Sequence, residues 1–265
     1  MDLAKLITEY NDLGIARVID HERFNLIAID HHSTRIEGST LTEVETQVLI
    51  NEGRTPNGKP LEESLMVTDH HAALLFTIEN ARSKLALSVN ILQQINALVM
   101  QNTGKVYNTM LGTVDAKTGA FRKGNVTAGV SYFPNFYKVE TLTKDLVRKL
   151  AGEMEKLLSV SDQLNLSFDA HFNLVSIHPY YDGNGRTSRL LMNYIQAYYQ
   201  LPLAIVRSEN KAAYIQALID TREKQDIRIF RDFMAGEYAT LLAHEIEKFK
   251  QMQKPSKGTG FNLMF

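Results

Sequence analysis

Cysteine is absent from all 265 positions, which excludes disulfides, thiolate zinc sites and cysteine nucleophiles. Neither sign of charge is in surplus: 29 basic side chains stand against 30 acidic ones, a formal net charge of −1. General nucleic-acid binding is thereby excluded, because it needs an excess of Lys and Arg to displace counterions. No apolar run reaches the roughly 18 residues that a bilayer span needs. Met1-Asp2-Leu3-Ala4-Lys5 also lacks the basic start and apolar run of a secretion signal. The expectation is a cytoplasmic protein without membrane contact. Period-two alternation is scarce as well. What remains is an ordinary globular balance, 44% hydrophobic, in a chain long enough to bury roughly three quarters of its unfolded surface.

Most of the chain has apolar residues three and four apart, the period of amphipathic helices. A first helical region is expected from Asp2 to about Glu37, with Gly38 as its C-terminal cap. Thr42 and Glu45 fit a capping box, which starts the next helix near Glu43; Gly53 ends it. Pro60 suits the first turn of a long helix reaching about Arg82, and Ser88 opens another. Glycines between Leu111 and Asn135 punctuate Phe121, Val126, Val130, Tyr132 and Phe133. That alternation predicts one short hairpin, the only β element expected. Helical spacing returns through Leu142, Leu146, Leu150, Met154 and Leu157, and again over 167–177, 186–200, 208–224 and 226–251. A polar tail with Pro255, Gly258 and Gly260 follows. The fold class expected is a mainly α, single unit over 1–265 with a hairpin inserted in its middle.

The segment His178-Pro179-Tyr180-Tyr181-Asp182-Gly183-Asn184-Gly185-Arg186-Thr187-Ser188-Arg189 lies between two apolar helices. Gly183 and Gly185 permit close backbone approach, so N–H groups at the mouth of the following helix can form an anion-binding nest, reinforced by the helix dipole. Arg186 and Arg189 are three apart and suit phosphate oxygens. Asp182 is a hard oxygen donor beside the nest, where Mg²⁺ is commonly held with phosphates. His178 can take a proton near neutral pH. Each residue alone reads equally as part of a tight interhelical turn. Together they describe a polyphosphate cradle with a base and a metal ligand.

This segment resembles the Fic motif, His-Pro-Phe-x-(Asp/Glu/Asn)-Gly-Asn-Gly-Arg-x-x-Arg, with Tyr180 in the usual Phe position. The resemblance implies a Fic-like helical bundle with a β-hairpin flap. It also implies transfer of AMP from ATP to a Tyr, Thr or Ser hydroxyl of a target protein. On that footing His178 is the base and Asp182 binds Mg²⁺; Gly183, Asn184 and Gly185 help form the anion hole, and Arg186 and Arg189 bind the outer phosphates. Intact Gly183-Asn184-Gly185 favours nucleotidyl transfer over the phosphoryl transfer of the Doc kinases. Phe121 to Asn135 is similar to the family's flap, in which Val126, Thr127, Ala128 and Gly129 would dock the target's backbone as an added strand. Ser33-Thr34-Arg35-Ile36-Glu37-Gly38 fits the family's inhibitory pattern (Ser/Thr)-x-x-x-Glu-(Gly/Asn), with Ser33, Glu37 and Gly38 at its defining positions. The expected layout is an N-terminal region with the inhibitory helix over 20–60, a Fic core over 88–205, and C-terminal helices with a polar tail over 206–265, whose role no motif assigns.

Two other functions share these residues. Glu37 could orient a water that removes AMP from a modified target, or the cradle could serve as a nucleotide-sensing binding module without catalysis. The sequence names neither target nor oligomeric state; a second copy of the chain is open as either. Several other patterns carry less. Gly53-Arg54-Thr55-Pro56-Asn57-Gly58-Lys59-Pro60 has Pro60 where a P-loop needs Ser or Thr. His244-Glu245 lacks the second zincin histidine, since Lys248 stands there. The adjacent pairs His31-His32 and His70-His71 are expected to diverge on helices. His171, two turns before His178, reads equally as packing under the site or as core.

Overall fold

The computed structural model describes residues 2–129 and 131–253. Met1, Val130 and the tail 254–265, with Pro255, Gly258 and Gly260, lie outside the described residues. Ten α-helices are found among the described residues: α1 (Leu3–Asp12), α2 (His21–Ile36), α3 (Glu43–Glu52), α4 (Leu61–Arg82), α5 (Val89–Val99), α6 (Phe136–Met154), α7 (Val160–Ile177), α8 (Asn184–Tyr198), α9 (Lys211–Lys224) and α10 (Ile227–Gln253). None is long and apolar enough to cross a membrane.

The centre of the bundle is α8, which packs against α7 and α4 and also touches α5 and α2. Leu190, Leu191, Tyr194 and Ile195 enter one apolar core with α4, α5 and α7. Met192 joins a second core built with α1, α7, α9 and α10. A helix covered on so many sides buries its polar residues too: Thr187, Ser188, Asn193 and Gln196 are at most 1% exposed. They find partners inside the bundle, as burial requires. Ser188 donates to the Asn184 carbonyl at 2.7 Å, and Gln196 donates to Ser167 Oγ at 3.1 Å.

Local signals explain most helix ends. Thr42 and Glu45 form the capping box, Ser88 caps α5, and Gly53 ends α3 in the left-handed region. Pro60 is the N-cap of α4, one position before its first turn. The N-terminal region is two helices, not one, because Gly14 and Asp20 both turn left-handed and frame a 3₁₀ turn, Ile15–Arg17. Helix α7 starts seven residues earlier than expected. Ser159 Oγ accepts from the Asp162 N–H at 3.2 Å, a Ser-x-x-Asp cap that the apolar spacing does not register. Leu157 lies beyond α6 and is fully exposed, so it is not part of that helix's apolar stripe. Ser208 opens a 3₁₀ turn, Ser208–Asn210, ahead of α9.

The β structure differs most from expectation. Two hairpins are found among the described residues: β1 (Val106–Thr109) pairs antiparallel with β2 (Gly112–Asp115), and β3 (Thr127–Ala128) with β4 (Ser131–Tyr132). The first escapes a periodicity reading because its strands are four residues long and largely exposed. The second, in register Thr127↔Tyr132 and Ala128↔Ser131, stands at the expected flap position. Val126 and Phe121 lie outside its strands.

Candidate functional site

Helix α7 ends at His178, whose N–H donates to the Leu174 carbonyl at 2.9 Å while its backbone turns left-handed (φ 53°). That conformation is uncommon for a non-glycine residue, and it turns the chain into the Pro179–Gly183 loop. The imidazole Nδ1 lies 3.3 Å from the Val175 carbonyl, an acceptor that favours an Nδ1–H and leaves Nε2 with its lone pair. Phe133, just past β4, stacks on the ring at 3.9 Å and 17°. Burial holds the His178 pKa down at about 4, so the imidazole is neutral at neutral pH.

The loop is pinned by Asn184. Its buried amide accepts from the Tyr180 N–H at 3.0 Å and donates to the Tyr180 carbonyl at 2.9 Å. The Asn184 side chain is thus occupied within the loop, and what it can offer an anion is backbone. Gly183 (φ 77°) is the N-cap of α8 and supplies no capping side chain, which leaves the N–H groups of the first turn without a side-chain cap. A Cβ at Gly183 would stand 2.8 Å from Asn96 Nδ2 and 2.9 Å from Met100 Sδ. Asn96 itself donates to the Asp182 carbonyl and to Thr187 Oγ, locking α5 against the loop.

Arg186 and Arg189 are both buried but turn to different neighbours. Arg186 reaches toward α5, at 3.5 Å from the Val99 carbonyl and 3.4 Å from Met100 Sδ, and lies 3.4 Å from Asp182 Oδ1. Arg189 reaches α2: its Nε donates to Ser33 Oγ at 2.9 Å and its Nη2 to Glu37 Oε1 at 2.7 Å. A Cβ at Gly185 would lie 2.4 Å from the same Glu37 oxygen. The Glu37 carboxylate therefore rests against the N-terminal turn of α8. Burial alone would push its pKa up, but the Arg189 and Arg186 guanidiniums outweigh that and hold it below the ordinary value. Gly38 (φ 112°) turns the chain away after Glu37.

Asp182 is exposed, with Oδ1 accepting from the Gly183 N–H at 2.6 Å. No group of three or more carboxylates or imidazoles that could hold a metal occurs among the described residues. One accessible carboxylate beside an anion-binding turn fits Mg²⁺, which keeps several waters and shares itself with phosphate oxygens. Tyr181, between Tyr180 and Asp182, stacks on Tyr107 of β1 at 4.3 Å and 12°. His171 is core: its Nε2 bonds the Tyr214 hydroxyl at 2.9 Å, and burial keeps its pKa well below the ordinary value.

The structure thus brings Ser33, Glu37, His178, Asp182, Gly183, Asn184, Gly185, Arg186 and Arg189 to one end of α8, with the Thr127–Ala128 strand and Gly129 in the hairpin that leads to Phe133. The sequence reading missed Arg122, Phe133, Asn96 and Tyr214. Arg122 and Phe133 fall inside the flap segment, but no local pattern marks them as belonging to the site. His70 and His71 are also corrected. Both imidazoles reach one carboxylate, Asp30, at 2.6 Å through Nδ1, because α2 places Asp30 between them.

A helix N-terminus with a neutral imidazole and buried guanidiniums around it has the donors and charge that an anionic group would need. Residues 86–196 of the chain match the Fic/DOC family. The chain is 29% identical to the protein adenylyltransferase Fic of Drosophila melanogaster over 206 residues, 77% of this chain and 39% of that one. Identity is 30% with the Drosophila persimilis protein of the same name, again over 77% of this chain and over 38% of the relative. The chain therefore spans about two fifths of the length of these curated relatives. Among solved structures, a Fic-domain signaling protein from Bacteroides thetaiotaomicron superposes with a TM-score of 0.80 at 22% identity, covering 94% of this chain and 97% of that one. Fic-1 of C. elegans superposes with a TM-score of 0.72 at 24% identity, covering 94% and 73%. These likenesses establish the fold.

Proposed function

We propose that the protein is an autoinhibited protein adenylyltransferase, which transfers AMP from ATP to a hydroxyl side chain of a target protein. The observation that carries this reading is the neutral His178 imidazole beside the uncapped N-terminal turn of α8. His178 Nε2 takes the proton of the target hydroxyl, and the oxygen attacks the α-phosphorus of ATP. A phosphoester bond forms, the bond from the α-phosphorus to the bridging oxygen breaks, and pyrophosphate leaves. The N–H groups at the start of α8 and the guanidiniums of Arg186 and Arg189 stabilise the charge on the phosphates. Asp182 would hold Mg²⁺, which neutralises phosphate charge when bound. The Thr127–Ala128 strand of the flap offers backbone groups for a target segment to add as a strand.

Autoinhibition rests on Glu37, whose carboxylate engages Arg189 and leans on Gly185. The outer phosphate and this carboxylate compete for the same guanidinium. The test is incubation of the Glu37→Gly protein with α-labelled ATP and Mg²⁺ in a cell lysate, beside a Glu37→Gly/His178→Ala control. Labelled protein chains that need His178 are the expected result. ATP binding without any covalent label would overturn the transferase reading and leave a nucleotide-binding module.

A further inference from the structure

We propose that Arg122 is the positioning residue of this site: its guanidinium clamps both ends of the flap to the backbone of His178 and so sets where the base stands relative to a target on the flap. Nε donates to the His178 carbonyl at 2.8 Å, Nη1 to the Gly124 carbonyl at 2.8 Å and Nη2 to the Pro134 carbonyl at 2.5 Å. The Arg122 N–H adds a fourth bond, to the Pro179 carbonyl at 2.9 Å. Gly124 leads into the hairpin and Pro134 leads out of it. One side chain therefore gathers the entry of the flap, its exit and the catalytic loop.

The chemistry is unusual for a packing role. Arg122 is 2% exposed, yet no carboxylate lies within ion-pair distance of it among the described residues. A charge taken out of water without a counterion is costly, and an apolar side chain could fill the same space at lower cost. Charge-assisted bonds to three carbonyls offset part of that cost, and the planar guanidinium holds its donors in a fixed fork that is pre-organised to meet carbonyls in different directions. Its geometric effect reaches the base by two routes. The His178 carbonyl is held directly, and the Pro134 carbonyl follows the residue whose ring lies flat on the imidazole, Phe133. Asn125 Oδ1, accepting from the Phe136 N–H at 3.0 Å, ties the flap's base to α6 independently, so loss of Arg122 loosens the flap without detaching it.

The inference about turnover rests on the transferase reading; the inference about the clamp does not. Arg122→Met and Arg122→Lys are made in the Glu37→Gly protein, with Phe133→Ala as the reference for an unstacked His178. Two quantities are measured: the NMR shift of the His178 ring protons, which a stacked phenyl ring displaces, and turnover against ATP affinity. In Arg122→Met the ring shift is expected to move most of the way to its Phe133→Ala value. The turnover number for AMP transfer should fall by about 10- to 100-fold, as misplacement of a reacting group does, with ATP affinity within about twofold of the parent. Arg122→Lys, which keeps the charge but loses the fork, should fall between. It carries the test if the methionine variant does not fold. An unchanged ring shift overturns the clamp, and a moved shift with unchanged turnover overturns the positioning role. Equal loss of turnover and ATP affinity would make Arg122 a general structural residue. If the Glu37→Gly parent transfers no AMP, the transferase reading fails while the ring shift still decides the clamp.

Discussion

Glu37 Oε1 lies 2.7 Å from Arg189 Nη2 and within 2.4 Å of where a Cβ on Gly185 would stand, so one carboxylate holds both the guanidinium and the mouth of α8. Ser33, one turn earlier on α2, adds its hydroxyl and its carbonyl to the same guanidinium at 2.9 and 3.0 Å. Removing the carboxylate and removing the guanidinium should therefore have opposite consequences. Glu37→Gly frees Arg189, which Ser33 still orients, and AMP transfer is expected to rise many-fold. Arg189→Ala breaks the same pair and also deletes the proposed phosphate ligand, so transfer should stay at or below the wild-type level. Self-labelling of the three proteins at equal folded concentration checks this. Activation by both variants would point to loosening of α2 rather than competition with phosphate.

His178 should titrate far below an ordinary histidine. Its pKa of about 4 arises first from burial, with Arg122 and Arg222 lowering it and Glu37 raising it. A histidine whose pKa is depressed on folding binds its proton more readily in the unfolded chain, so its contribution to stability falls as pH drops from about 6.5 toward 4. An NMR titration, with the resonance assigned through His178→Ala, should give a midpoint near 4. Glu37→Gly should lower it further by removing a nearby negative charge. A midpoint above 6 would show an imidazole too exposed to remain neutral by burial.

Asp30 is fully buried and bonds His70 and His71 through separate oxygens, joining α2 to α4. Truncating it leaves two imidazoles without their acceptor. Asp30→Ala is expected to cost about 3–5 kcal/mol, the range for breaking a buried charged pair, measured by denaturant unfolding. The pH dependence follows from His71. Burial alone would lower its pKa, but the Asp30 carboxylate raises it. Its contribution is therefore complete below the unfolded pKa and lost as pH rises through the folded one. The stability gap between wild type and His71→Gln should be widest at acid pH and narrow on the alkaline side. A gap that widens with pH would contradict this.

Tyr180 is 1% exposed, and its hydroxyl has no hydrogen-bond partner among the described residues. Its ring packs 5.8 Å from Phe121 at the root of the flap. Tyr180→Phe keeps the ring and deletes an unsatisfied polar atom, so it should raise stability by about 1 kcal/mol, toward the low end of the cost of a buried unpaired group. Thermal unfolding midpoints decide the matter. A lower midpoint would show that the hydroxyl has a partner that matters.

The strand addition proposed at the flap would involve backbone, so its test is a residue beside the paired strand. Val126 directly precedes β3, and Val126→Pro removes one N–H and locks φ at the entry to the hairpin. Transfer to a protein target should drop more than ATP binding does. Equal loss of both would place the damage in the nucleotide site instead.

The helical class, most helix ends and the twelve-residue segment from His178 to Arg189 were legible in the sequence because they depend on neighbours three or four positions away. A cap is a side chain bonding the backbone three residues on, as Thr42 and Ser88 do, and the anion nest proposed at Gly183–Gly185 would be a run of consecutive peptide groups. Such interactions are written in order along the chain. The remaining relationships are not. Arg122 bonds backbone carbonyls, and every residue has one, so no residue type identifies its partner 56 positions away, the His178 carbonyl. Asp30 meets His70 and His71 only because α2 crosses α4 at that height, and Glu37 meets Arg189 across 152 positions; a resemblance to the family could suggest that pair, but residue spacing could not. The strands of the first hairpin are four residues long and largely exposed, with Val114 buried, too short and too mixed in composition for their sequence to register as a strand pattern. Sequence by itself determined the local chemistry at the mouth of α8. The packing of helices around α8 decided which distant charges face it, because long-range distances follow from how whole elements fit together rather than from any pattern within one of them.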